Sequence, residues 1–131
     1  MGAPEFVSAT PSFAVSDIAR GVGFFVEKLG FEQVVADEGF AMVRRDRVAL
    51  TLWLADDSAA GAERELAGTV SCRVEVREID EWYRHCLSVG CVHSNGPLVA
   101  TDWGTREFHV LDPDQNLVTF WQPVGTAAVD R

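Results

Sequence analysis

The sequence predicts an α+β protein in which two βαβββ modules pack into one structure with a cupped, mixed sheet. Three observations carry that expectation. A motif occurs twice, first from Phe13 in "FAVSDIARGVGFFVEKLGF" and again from Arg73 in "RVEVREIDEWYRHCLSVGC". Each copy gives a short alternating strand, a polar cap, an apolar-periodic helix and a glycine stop. Three further strand-like runs follow each copy, so neither module covers its own sheet alone.

In chain order, Val15, Asp17 and Ile18 correspond to Val76, Glu78 and Ile79 at an offset of 61, and Gly30 to Gly90 at 60. Ile18, Val22, Phe25 and Leu29 recur at spacings of three or four and make one apolar helix face. Ser16 or Asp17 can cap the helix amides, and Gly30 can turn left-handed after the last turn. The strands "FEQVVA", "FAMVRR" and "RVALTLWLA" come next, followed by a polar connector, "DDSAAGAEREL", at 56–66. The second helix is expected to bury Ile79, Trp82 or Tyr83, Cys86 and Leu87. The runs "CVHS", "REFHVL" and "LVTFWQ" complete the second module, the last two joined by a turn of Asp112, Pro113, Asp114, Gln115 and Asn116.

A length of 131 residues fits a single domain that buries roughly two-thirds of its unfolded surface. That domain is expected over 9–123, with modules at about 9–55 and 69–123, a leader or tag remnant at 1–8 and a tail at 124–131. No apolar run approaches the ~18 residues of a membrane span, and "MGAPEFVSAT" lacks the features of a signal peptide. Cys72, Cys86 and Cys91 are odd in number and without CxxC spacing. They speak against a disulfide framework or zinc site and for a reducing cytoplasm. Cys72 and Cys86 are expected to be small buried hydrophobes.

A net charge of −9 argues against nucleic acid as a partner. It attracts a cation over the range that salt permits, or simply keeps the chain soluble. No GxGxxG, Walker loop, HExxH or GxSxG is present. His85, His93 and His109 fall in separate elements, and their local spacing forms no ligand set.

The paired modules, with "AVSDIARGVGFFVEKLGF" and "LDPDQNLVTFW", resemble the vicinal oxygen chelate superfamily, which includes glyoxalase I, extradiol dioxygenases and fosfomycin-resistance enzymes. Within it, "ATPSFAVSDI", "DEGFAMVRRDRVALTLWLA", "VSCRVEVREIDEWYRHCLSVG" and "DWGTREFHVLDPDQNLVTF" are most similar to bleomycin-resistance proteins. The resemblance covers about residues 9–123. It implies the vicinal oxygen chelate fold and an N-terminal strand-swapped homodimer, with Phe13 to Val15 exchanged at a hinge marked by Pro11. Superfamily enzymes carry metal ligands on the first strand of each module and on a final strand. By position these places fall near Thr10, Ser71 and Thr119, none of which is a His or a carboxylate. Neutral hydroxyls are poor ligands for a catalytic divalent metal. The expectation is therefore a metal-free container with no cofactor and no catalysis.

The resemblance implies non-covalent sequestration of a bleomycin-type cationic glycopeptide, possibly as its copper complex, in grooves at a dimer interface. Phe40 and Trp103 match the aromatic positions implicated in holding the drug's flat bithiazole, to which rings offer a stacking face. The alternative is that both are ordinary core or turn aromatics. Trp53 shares a face with Thr51 and Ala49 and either lines the groove or packs the sheet. Trp82 belongs to the core, while Trp121 can face the groove or the dimer seam. Asp56, Asp57, Glu63, Glu65, Asp102 and Glu107 are candidates for an acidic field around the tail of the drug, or are solvated charges. The segment "SNGPLVATDWG", 94–104, is shorter than the drug-covering loop of some family members. Two other readings stand beside this one: a metal-dependent lyase, isomerase or dioxygenase of the same fold, and a binding module for another small planar ligand.

Overall fold

The structure, a computed structural model, describes residues 2–55 and 70–125. Asp56, Asp57, Glu63 and Glu65 of the connector lie outside the described residues. The first module holds β1 (Ser12–Val15), α1 (Ile18–Gly23) running on into a π-helical turn (Phe24–Lys28), β2 (Glu32–Ala36), β3 (Phe40–Arg45) and β4 (Val48–Leu54). The second holds β5 (Ser71–Glu75), α2 (Ile79–Ser88), β6 (Val99–Ala100), β7 (Thr105–Leu111) and β8 (Leu117–Pro123). The duplicated βαβββ order is present as two four-stranded mixed sheets, ordered β1-β4-β3-β2 and β5-β8-β7-β6. In each, the first strand runs parallel to the last, Ser12 opposite Thr51 and Arg73 opposite Thr119, and the other pairs are antiparallel.

The two helices start in different ways. Asp17 is extended at φ −157°, and its carboxylate accepts the Arg20 N–H at 2.8 Å. Its counterpart Glu78 sits at φ 57° and makes no side-chain cap. The first amide of α2 instead donates to Gln122 Oε1 of β8 at 3.0 Å. The correspondence of Asp17 and Glu78 therefore holds in position and not in role.

Ile18, Val22, Phe25 and Leu29 are all buried. The π turn brings Phe24 inside as well, edge-on to Phe25 with ring centroids 5.2 Å apart. In α2, Ile79 and Cys86 are buried, while Trp82 and Tyr83 pack on Phe120 and Phe108 at 5.5 and 5.0 Å. Leu87 departs from expectation at 51% exposure. It lies one residue, about 100° of helix rotation, beyond Cys86 and so misses the buried stripe.

Both helix-stop glycines are left-handed, Gly30 at φ 73° and Gly90 at φ 74°. A Cβ on Gly90 would meet nothing within 4 Å, so its cost is purely conformational. Gly90→Ala is expected to lower stability by about 1–2 kcal/mol, measured by urea unfolding; an unchanged midpoint would show that the left-handed conformation carries no penalty.

One further expectation is corrected. "CVHS" is not a strand and makes a single bridge, Val92 to Val110. The chain turns away at Gly96, which lies so close to His109 that a Cβ there would stand 2.7 Å from the His109 Cβ. The edge position is filled by the two-residue β6, paired with Arg106 and Glu107. The exchange of Phe13 to Val15 between protomers is not shown by a single chain. All three are fully buried, and β1 pairs with β4 of its own chain. Phe13 is needed there against Phe25, 6.3 Å away between ring centroids. The residues that stand away from the sheets precede Pro11, with Phe6 and Val7 almost wholly exposed.

The modules meet through their helices and through the β7–β8 turn, and share one apolar core. Lys28 Nζ donates to the Val89 carbonyl at 3.1 Å, and His85 Nε2 lies 2.7 Å from the Lys28 carbonyl oxygen. The Arg45 guanidinium sits 4.8 Å above the Trp82 ring. At the turn, the fully buried Asn116 donates through Nδ2 to the Ala14 carbonyl at 2.8 Å and to Asp112 Oδ2 at 3.0 Å. No helix among the described residues is long and apolar enough to cross a membrane.

Candidate functional site

Strand alternation gives each sheet a helix-covered side and an open side. In β7, Phe108 and Val110 are buried in the core, so Glu107 and His109 point to the opposite face. In β8, Phe120 packs on Trp82, so Thr119 and Trp121 share that opposite face. In β5, Val74 faces inward and Arg73 outward. Trp121, left open by the sequence, thus lies on the open face of the second sheet.

On that face the side chains converge on Glu107, which is 5% exposed. Arg73 grips its carboxylate with both terminal nitrogens, Nη1 to Oε1 at 3.1 Å and Nη2 to Oε2. Thr105 Oγ1 donates to Oε2 at 2.6 Å, and Trp103 Nε1 donates to the same oxygen at 3.2 Å. The guanidinium of Arg73 also lies 5.6 Å over the Trp121 ring. The bidentate arginine, helped by Thr105 and Trp103 and opposed by burial, holds the Glu107 carboxyl down at about 2. Glu107 is thus ionised with its charge matched by Arg73.

Trp103 is 70% exposed, with one edge tethered to Glu107 and its faces available. It stands in a tight turn before Gly104, which adopts φ 89°. Thr101 braces that turn, donating its N–H to the Thr105 carbonyl at 2.8 Å and accepting the Thr105 N–H on Oγ1 at 3.1 Å. Asp102 is exposed in the same turn.

The first sheet presents a second aromatic set on its own open side. Phe40 and Trp53 are directly opposite in the β3–β4 ladder, and Met42 is opposite Thr51. Phe40 is 40% exposed because its strand begins at a turn where Asp37 accepts the N–H groups of Gly39 and Phe40, each at 2.9 Å. Phe40 therefore belongs to the first sheet, and Trp103 to the turn between β6 and β7 of the second.

Of the three places where the resemblance puts metal ligands, Thr10 is exposed ahead of β1 and Ser71 opens β5. Thr119 is buried in β8, its Oγ1 2.8 Å from His109 Nδ1. Among the described residues no group of three His, Cys, Asp or Glu is placed to hold a metal. Cys86 and Cys91 are buried and Cys72 is partly buried; burial pushes the Cys72 thiol up to about 11. The sequence missed Arg73 and Thr105 as members of the cluster. Thr105 and Glu107 share the i, i+2 spacing of one strand face, a local signal. Arg73 lies 34 residues from Glu107, and nothing local marks it.

The family model described as "Glyoxalase/Bleomycin resistance protein/Dioxygenase superfamily" matches residues 8–120. The chain belongs to that superfamily. A bleomycin resistance protein from Geobacillus stearothermophilus is 39% identical over 129 residues, covering 90% of this chain and 98% of the relative. The bleomycin-binding protein of bleomycin-producing Streptomyces verticillus, solved with copper(II)-bleomycin, superposes with a TM-score of 0.77 at 27% identity. That match covers 95% of this chain and all of the other. The bleomycin resistance determinant encoded on transposon Tn5 gives a TM-score of 0.69 at 26% identity, over 90% of this chain and 98% of that one. As a superfamily member the chain has the expected fold, and its relatives point to the binding branch. A lactoylglutathione lyase from Agrobacterium tumefaciens, at 16% identity and a TM-score of 0.72, shares the fold alone.

Proposed function

We propose that this protein confers antibiotic resistance by binding a bleomycin-type drug, free or as its copper(II) complex, without modifying it. The observation that carries this reading is Trp103: a largely exposed indole, braced at one edge, on the open face of a sheet whose relatives bind bleomycin. Phe40 and Trp53, with Thr51 beside them, supply a second aromatic wall on the other sheet. Because the two walls belong to different sheets, a homodimer makes the groove, one protomer's first-sheet face opposing its partner's second-sheet face. The cytoplasm is the place of action, where capture keeps the drug from DNA. Residues 9–123 act as the single binding domain.

Asp102 and the overall charge of −9 attract the cationic tail. Calorimetric titration with copper(II)-bleomycin is expected to give saturable binding of one drug per chain, with the drug's mass unchanged afterwards. Affinity is expected to fall as salt rises from 50 to 500 mM, on the order of tenfold. Absence of binding, or conversion of the drug to a new species, overturns the proposal.

A further inference from the structure

The carboxylate of Glu107 is closely engaged on the open face. Among the described residues it receives four hydrogen bonds from three side chains, three of them on Oε2. A carboxylate oxygen with three donors has little capacity left for another. Its charge is cancelled by a guanidinium in bidentate contact, and its side chain is only 6% exposed. Such a group is poorly placed to attract a ligand cation. It is well placed to set the plane of an indole. Trp103 has two side-chain torsions, and an exposed indole that is not tethered samples several rotamers. The hydrogen bond from Nε1 selects one of them before any ligand arrives.

We infer that Glu107 is a positioning residue: through the Trp103 Nε1–H, with Arg73 and Thr105 holding its own carboxylate, it fixes the indole as a preformed stacking platform, and it does not itself receive the ligand's positive charge. This rests on the binding role proposed above for Trp103. Ordering the ring in the free protein removes part of the entropy cost that binding otherwise carries.

The test combines a ligand-free readout with a binding cycle. In the free protein, the Trp103 indole N–H cross-peak is assigned by its loss in Trp103→Ala. Glu107→Ala is expected to shift that peak and speed its exchange with water. Arg73 is left half-exposed and solvated in this variant, and Glu107→Gln provides a shape-conserving second substitution. Titration with copper(II)-bleomycin is expected to show about a tenfold loss for Glu107→Ala in the wild-type background, and less than about a twofold loss in Trp103→Ala, as for side chains acting through one contact. Glu107→Gln is expected to leave the salt dependence of affinity unchanged. An unmoved indole signal, equal losses in both backgrounds, or a weaker salt dependence in Glu107→Gln would each overturn the inference. Failure of the wild type to bind would overturn the bleomycin reading alone, because the indole signal still reports whether Glu107 fixes Trp103.

Discussion

Trp103→Ala is expected to weaken copper(II)-bleomycin binding by about 1–3 kcal/mol, the range for removing one stacking platform. The substitution removes the indole faces that stand open at the turn, while the turn itself is held by Thr101, Thr105 and Gly104. At 70% exposure Trp103 contributes little core packing, so stability is expected to change by no more than about 0.5 kcal/mol. The two measurements, calorimetry and urea unfolding, must therefore separate. Equal affinity in wild type and variant would place the drug elsewhere. A parallel fall in both would make Trp103 a structural residue.

Asn116→Ala is expected to have the largest effect on stability, about 2–4 kcal/mol by urea unfolding. Asn116 is fully buried, and its amide nitrogen serves an acceptor in each module, the Ala14 carbonyl of β1 and Asp112 at the turn into β8. Removing the side chain leaves both acceptors in a place water does not reach. Asp112 is itself buried, and burial raises its carboxyl above the usual range despite the amides of Asp114 and Asn116 that donate to it. It is then left with one hydrogen bond fewer. A loss under about 1 kcal/mol would mean that the Asn116 bridge contributes little to holding the two modules together.

The parts of the fold legible in the sequence are those whose causes are local. The apolar spacing of Ile18, Val22, Phe25 and Leu29, the cap at Asp17 and the stops at Gly30 and Gly90 each depend on a few neighbouring residues. The strands around Thr51 and Trp53 were likewise written in their alternation. What escaped was non-local. The two-residue β6 is too short to leave a pattern, and it exists because Glu107 and Arg106 offer it an edge. The cap of α2 comes from Gln122, 43 residues on in the chain. The candidate site divides in the same way. Phe40 and Trp103 are candidates on the resemblance of short motifs, and their exposure is compatible with that role. The state of Glu107 was not legible, because it depends on Arg73 and is settled only once β5, β8 and β7 lie side by side.

The sheet order has a consequence for how the protein is assembled in time. In both modules the last strand made is an inner strand, bonded on both sides: β4 lies between β1 and β3, and β8 between β5 and β7. Ser12 must wait for Thr51, and Arg73 for Thr119, before the parallel pairs close. Such pairings across long stretches of chain require loop closure before contacts reward it. As the chain leaves the ribosome, the first sheet lacks its keystone until Leu54 has emerged. The second, with the Trp103 turn, has no framework until residues up to Pro123 are out.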